Sequence, residues 1–121
     1  MSAKAYGMEK VFDAQMLSGV YKIIILHHMK GSGTYPYKLY KHLNEHLRPG
    51  MQKVSKSDLY NLVASLEKGG FIRSRTIHTG AVVHKHYTLT KKGASIVKNS
   101  RGILMDALGK VQQLIKDELN G

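Results

Sequence analysis

The residues best suited to chemistry in this chain lie in one short run, Ser55-Lys56-Ser57-Asp58-Leu59-Tyr60-Asn61. Ser55 has the type expected of a helix N-cap. Asp58, three residues later, completes a capping-box pattern and complements the positive end of the helix. With Leu59 turned inward, the solvent-facing residues of the first two turns are Lys56, Ser57, Tyr60 and Asn61, and Lys53 stands just ahead. Lysine can bond guanine O6 and N7 or a phosphate, serine either a base or a phosphate, and asparagine can pair bidentately with adenine N6 and N7. The free N–H groups of a helix N-terminus also suit phosphate. Taken alone, the same run would make an ordinary capped surface helix, and Tyr60 could pack against a neighbouring helix instead.

Its surroundings favour a polyanion. The chain carries 19 Lys+Arg against 8 Asp+Glu, a net charge of +11 and a pI near 9.9. The excess is concentrated. Between Arg48 and Arg101 there are eleven basic residues and only two acidic ones, Asp58 and Glu67. Such localised charge suits nucleic acid better than a generally basic soluble surface does. Downstream of the helix, Arg73–His78 and Val82–Leu89 read as two strands joined by Thr79-Gly80-Ala81. Alternate side chains of a strand share a face, so Arg73 sides with Arg75 and His84 with His86. Arg73, Arg75, Lys85, Lys91 and Lys92 are the candidate phosphate contacts beside Lys53. A charged hairpin is also a way to protect a sheet edge from aggregation, and that reading stays open.

Other chemistries are poorly supplied. There are no cysteines, which removes disulfides and Cys-based zinc sites. His84-x-His86 with His78 across the ribbon could offer three imidazoles, and His42 and His46 lie one turn apart. Neither set completes a recognised site, so no metal or other cofactor is expected. His27 and His28 read as capping or solvent-facing groups. Gly31-x-Gly33 is too short for a phosphate-binding loop, and neither a nucleophile elbow nor a cluster of paired carboxylates is present, so no enzyme is expected.

The elements that must hold these residues follow from periodicity and punctuation. Residues 1–17 are expected to form a short helix or an ordered arm. Ser18 would cap a helix carrying Val20, Ile23, Ile24, Ile25 and Met29, broken by Gly31-Ser32-Gly33. Pro36 suits the first turn of the next helix, with Leu39, Tyr40 and Leu43 inward and Lys38, Lys41 and His42 outward, ending before Arg48-Pro49-Gly50. Leu59, Leu62, Val63 and Leu66 form the buried stripe of the Ser55-capped helix, which Gly69 or Gly70 ends. Phe71-Ile72 returns the chain to the core. Thr90 caps a fourth helix, with a bend or break expected at Gly102. The final segment, Ile103–Leu119, has Leu104, Leu108, Val111 and Ile115 in line, widened by Ala107, Leu114 and Leu119. That stripe is too wide for a lone exposed helix. Either it folds back on its own core or it packs on another chain; because the upstream core reads as complete, a homodimer is favoured, which would also offer two recognition helices to a pseudo-palindromic site.

The residues from Gly19 to Gly93 resemble the PadR-like winged-helix transcriptional regulators. The resemblance is carried by Ile23–Gly31 leading to Tyr37-Lys38-Leu39, by Leu59-Tyr60, Leu66-Glu67 and Gly70, and by Tyr87-x-Leu89-Thr90-x-x-Gly93 closing the ribbon. It departs from the family where Pro36 replaces the usual Gly and where Thr79–Val83 is apolar rather than arginine-bearing. Some relatives stack aromatic or multidrug ligands on tryptophan at the dimer interface, and this chain has no Trp.

The expected fold is mainly α with a small β-ribbon, a winged helix-turn-helix followed by a C-terminal dimerisation helix. The expected division is 1–17 arm or short helix, 18–98 DNA-binding domain and 99–121 dimerisation helix. The resemblance implies double-stranded DNA as partner, a second copy of the chain bound through Leu104, Ala107, Leu108, Val111, Leu114 and Ile115, and usually repression. It leaves a small-molecule effector open. A protein-interaction module on the same fold, with DNA incidental, and a ligand- or metal-responsive sensor are the rival readings. The longest apolar run, Ile23–Leu26, is too short to span a membrane and the N-terminus lacks a secretory pattern, so a cytoplasmic location is expected.

Overall fold

The computed structural model describes residues 3–45 and 53–120, with side chains from residue 15 onward. Its elements follow the order α1 (Ala3–His28), α2 (Pro36–Glu45), α3 (Lys56–Lys68), β1 (Ile72–Thr79), β2 (Val82–Leu89) and α4 (Lys91–Leu119). His46 and the Arg48-Pro49-Gly50 stop lie outside the described residues. No described helix is long and apolar enough to cross a membrane.

Two helices are longer than expected. Ser18 does not start a helix, because α1 runs unbroken through it from Ala3. Nothing near Ser18 stops a helix: Gly19 is a lone glycine, worth only about 1 kcal/mol against helix. Leu17, Val20, Tyr21 and Ile24 continue a partly buried face across it. Likewise Gly102 does not break α4, a single helix of 29 residues and about 43 Å. The expected limits at 17/18 and 98/99 therefore both fall inside continuous helices.

The core gathers one stripe from each element. Ile25 and Leu26 of α1, with Met29 just past its end, meet Leu39 and Leu43 of α2 and Leu59, Val63 and Leu66 of α3. Val54, Ile72, Tyr87 and Val97 close it, with Leu62, Tyr40 and Phe71 packed at its margin. The ribbon is antiparallel, with Ile72 opposite Leu89 at its base and Thr79 opposite Val82 at its tip. Thr34 adds a short bridge on the other edge of β2. Its N–H donates to the Tyr87 carbonyl at 3.0 Å and its carbonyl accepts from the Tyr87 N–H at 2.9 Å.

The junction of α3, ribbon and α4 is tightly bonded. Gly70 takes φ +80° just past α3, so the Gly70 N–H reaches the Glu67 carbonyl and the Phe71 N–H the Leu66 carbonyl, each at 3.0 Å. That pair of bonds is a Schellman stop, and it turns Phe71-Ile72 back into the core. Thr90 caps α4 by accepting from the Gly93 N–H at 3.2 Å, and its hydroxyl donates to the Gly70 carbonyl at 2.6 Å. Gly93 is packed so closely on the Phe71 carbonyl that a Cβ there would collide with backbone.

The paired histidines of α1 are half-buried, each against a neighbouring helix. Ser100, buried in α4, donates its hydroxyl proton to the Val97 carbonyl at 2.9 Å. The His27 Nε2–H is therefore the donor in its 2.8 Å bond to Ser100 Oγ, which ties α1 to α4. His28 lies against His42 of α2, ring centroids 3.8 Å apart.

Candidate nucleic-acid interface

Helix α3 begins as its sequence dictates. Ser55 is extended (φ −74°, ψ 162°), and its Oγ accepts from the Asp58 N–H at 3.0 Å. Leu59, Val63 and Leu66 are buried, which turns Lys56, Ser57, Tyr60 and Asn61 to solvent. Tyr60 is 56% exposed. The Lys56 ammonium lies 5.7 Å from the centre of the Tyr40 ring, within cation–π reach, so α2 helps to aim it. Lys53 is exposed just ahead of the cap.

The ribbon lies alongside α3, running from its C-terminal end back toward its N-terminal end. At the base, Glu67 of α3 accepts from the Ser74 N–H at 3.1 Å and from its hydroxyl at 2.6 Å. Toward the tip, Val83 and Lys85 share a cleft with Tyr60. Directly opposed residues of an antiparallel pair share a face. Lys85, opposite Thr76, therefore belongs to the face of Ser74 and Tyr87, which looks toward α3. Arg73 and Arg75 stand opposite Thr88 and His86 and occupy the other face. That outer face also carries His84 and His86, whose rings each sit 4.9 Å from Tyr35. His78, opposite Val83, lies on the inner face, so the three ribbon imidazoles do not converge. Among the described residues no group of three or more His, Cys, Asp or Glu is placed to hold a metal ion.

The remaining candidate cations lie at the far end of α3, about 20 Å from its cap. Lys91 is exposed at the start of α4. The Lys92 ammonium donates to the Gly69 carbonyl at 2.8 Å and lies 4.6 Å from the Phe71 ring centre. It thus complements the negative end of α3, a role its sequence neighbourhood did not advertise. The candidates do not form one surface. Lys53, Lys56, Ser57, Tyr60, Asn61 and Lys85 gather near the N-terminal end of α3, Arg73 and Arg75 face away, and Lys91 and Lys92 sit at the ribbon base.

The structure adds residues that sequence reasoning passed over. The start of α2, α3 and the inner face of the ribbon enclose an open cleft of about 650 Å³. Tyr35 just ahead of α2 and Tyr37 and Lys38 within it line one side, Tyr60 lines it from α3, and Lys85 and Tyr87 from the ribbon. Tyr37 is 70% exposed, and Lys38 stands 5.8 Å from the Tyr35 ring centre. Burial foremost, then the Glu67 carboxylate and Tyr60, push the Tyr87 hydroxyl above the ordinary tyrosine value of 10.0. It stays neutral as the floor of the cleft. The one available signal was composition: three of the seven tyrosines fall within Tyr35–Tyr40, beside Lys38.

The far half of α4 presents the apolar stripe in the single chain. Leu108, Leu114 and Ile115 are 48%, 62% and 52% exposed, Ala107 is exposed, and Leu104 and Val111 are half-buried.

A family model described as the transcriptional regulator PadR-like family matches residues 25–99, well over half of the chain. The fold is similar to a PadR family transcriptional regulator from Eggerthella lenta, at 25% identity and a TM-score of 0.64, over 91% of this chain and 97% of that one. It is also similar to a PadR-like transcriptional regulator from Bacillus cereus, at 28% identity and a TM-score of 0.60, over 82% and 97%. The Bacillus subtilis PadR, crystallised in complex with operator DNA, is 27% identical with a TM-score of 0.57, over 66% of this chain and 44% of that one. No curated protein matches the chain.

Proposed function

Because the chain belongs to the PadR-like family of transcriptional regulators, we propose that it reads double-stranded DNA as a homodimer and represses transcription from a pseudo-palindromic operator. The observation that carries this reading is the surface at the N-terminal end of α3. Lys53, Lys56, Ser57, Tyr60 and Asn61 are exposed there, and the inner face of the ribbon flanks them with Lys85. The α3 N-terminus enters a major groove, where Ser57 and Asn61 meet base edges and Lys56 meets a phosphate bordering the groove. The sugar–phosphate strand bordering that groove lies across the cleft, against Tyr37, Lys38 and Lys85. Arg73, Arg75 and Lys91 supply outlying positive charge, and Lys92 acts through the end of α3. The complex of the Bacillus subtilis relative with operator DNA supports the partner class.

The unpartnered stripe of α4 supports the dimer. Leu104, Ala107, Leu108, Val111, Leu114 and Ile115 are covered when two copies pack α4 against α4. The division into a DNA-binding body and a C-terminal dimerisation segment is then one of role along a continuous helix. The function is one of binding in the cytoplasm and requires no catalytic step.

In vitro selection from a random duplex library tests the reading. The expected result is one enriched motif with two related half-sites, spaced by about one helical turn. Enrichment of no motif, with a protein partner captured instead, would replace DNA reading by an assembly role.

A further inference from the structure

Asn44 sits near the end of α2, partly buried, and its side-chain amide makes three hydrogen bonds at once. Nδ2 donates to the Tyr40 carbonyl one turn back and to the Val54 carbonyl, each at 3.0 Å. Oδ1 accepts from the Val54 N–H at 2.8 Å. One amide thus answers both backbone groups of a residue ten positions away, as a paired strand would. Val54 is held a second time by its side chain, which is 5% exposed within the core. The residue after Val54 is Ser55, the α3 cap, and the residue before it is Lys53.

We infer that Asn44 is a positioning residue for base readout. Its amide fixes where the first turn of α3 stands relative to α2, and so where Lys53, Lys56, Ser57 and Asn61 meet DNA. The inference rests on the DNA reading above and names a determinant of its specificity that touches no base. Both Nδ2 protons are engaged inside the protein, which leaves none for DNA. The chemistry is restrictive. Aspartate keeps an acceptor for the Val54 N–H but turns an oxygen toward the Val54 and Tyr40 carbonyls. Alanine offers neither group, and glutamine carries both one methylene too far. The core contacts of Leu59, Val63 and Leu66 still hold the body of α3 in such variants. The change therefore falls on the approach of its first turn.

The test uses the full chain and two duplexes, the motif selected by the wild type and a scrambled version. Affinities for both are measured by anisotropy, well below each variant's melting temperature. The variants are Asn44→Ala, Asn44→Asp and a control, Val97→Ala, which loosens the core where α4 packs. A loss of folded fraction weakens both duplexes equally and leaves their ratio untouched. Misplacement of α3 lowers the ratio. The expected result is a fall of about tenfold in preference for both Asn44 variants, the size of one lost bidentate base contact, with Val97→Ala unchanged. Should Asn44→Ala fail to fold, Asn44→Asp, which keeps one bond to Val54, reads the same ratio. An unchanged ratio in the Asn44 variants, or an equal fall in Val97→Ala, would overturn the inference while leaving DNA reading intact. A wild type without preference for any duplex would overturn both.

Discussion

Asn61 and Lys56 stand on the same exposed turns of α3, yet their chemistry separates them in an assay. Asn61→Ala should flatten base preference at one position by about 1–3 kcal/mol, seen as a relaxed motif on reselection. Lys56→Ala should weaken every duplex and lower the slope of log affinity against log salt by about one phosphate. Tyr87 makes a different prediction. Its native value is raised, so its contribution to stability is full below about pH 10 and is lost as pH climbs through the native value. Tyr87→Phe should therefore melt less steeply with pH in the alkaline range than the wild type. Equal slopes would mean that the hydroxyl is not held in its neutral form. The residues of the α3 turn were legible because capping and periodicity are local signals. Asn44 was not, because its partner lies ten positions away and neither residue type announces the pair. The bond of Lys92 was hidden for the same reason: the sequence shows a cation but not the Gly69 carbonyl that receives it.

Caps and stops decide whether α3, ribbon and α4 lock together. Gly93→Ala forces a methyl group onto the Phe71 carbonyl. It should cost about 1–3 kcal/mol, as overpacking does, measured by urea unfolding. Thr90→Ala removes a cap and should cost about 1 kcal/mol in the same assay. If Gly93→Ala unfolds at the wild-type denaturant midpoint, the junction is looser than its hydrogen bonds imply. Most elements were readable. Ser55, Thr90, Gly70 and the Thr79–Val82 turn mark their ends by residue type. The exceptions have physical causes. Ser18 has the type of a cap, but the apolar face of α1 continues through it and packing overrides local preference. The split of the ribbon cations needed the register: alternation pairs Arg73 with Arg75, but only the alignment of Thr76 with Lys85 reveals that Lys85 faces the other way.

The long reach of α4 leaves an apolar stripe uncovered in the single chain. Its proximal half is pinned to α1 by the His27–Ser100 bond, and its distal half leaves Leu108, Leu114 and Ile115 in solvent. Apolar exposure on that scale marks an interface. Ile115→Asp combined with Leu108→Asp should give monomers in sedimentation equilibrium and bind full operators with the weaker affinity of a half-site. Dimers that survive both substitutions would place the interface elsewhere. The surface at the N-terminal end of α3 is expected to read sequence in the homodimer. The direct measurement is anisotropy of the selected duplex against its scrambled version across a range of salt. A preference of about a thousandfold or more for the selected duplex is expected at physiological salt. Affinity for both duplexes should fall with log salt, by about 0.9 log units per phosphate neutralised. Equal affinities at every salt concentration would contradict sequence reading by this surface.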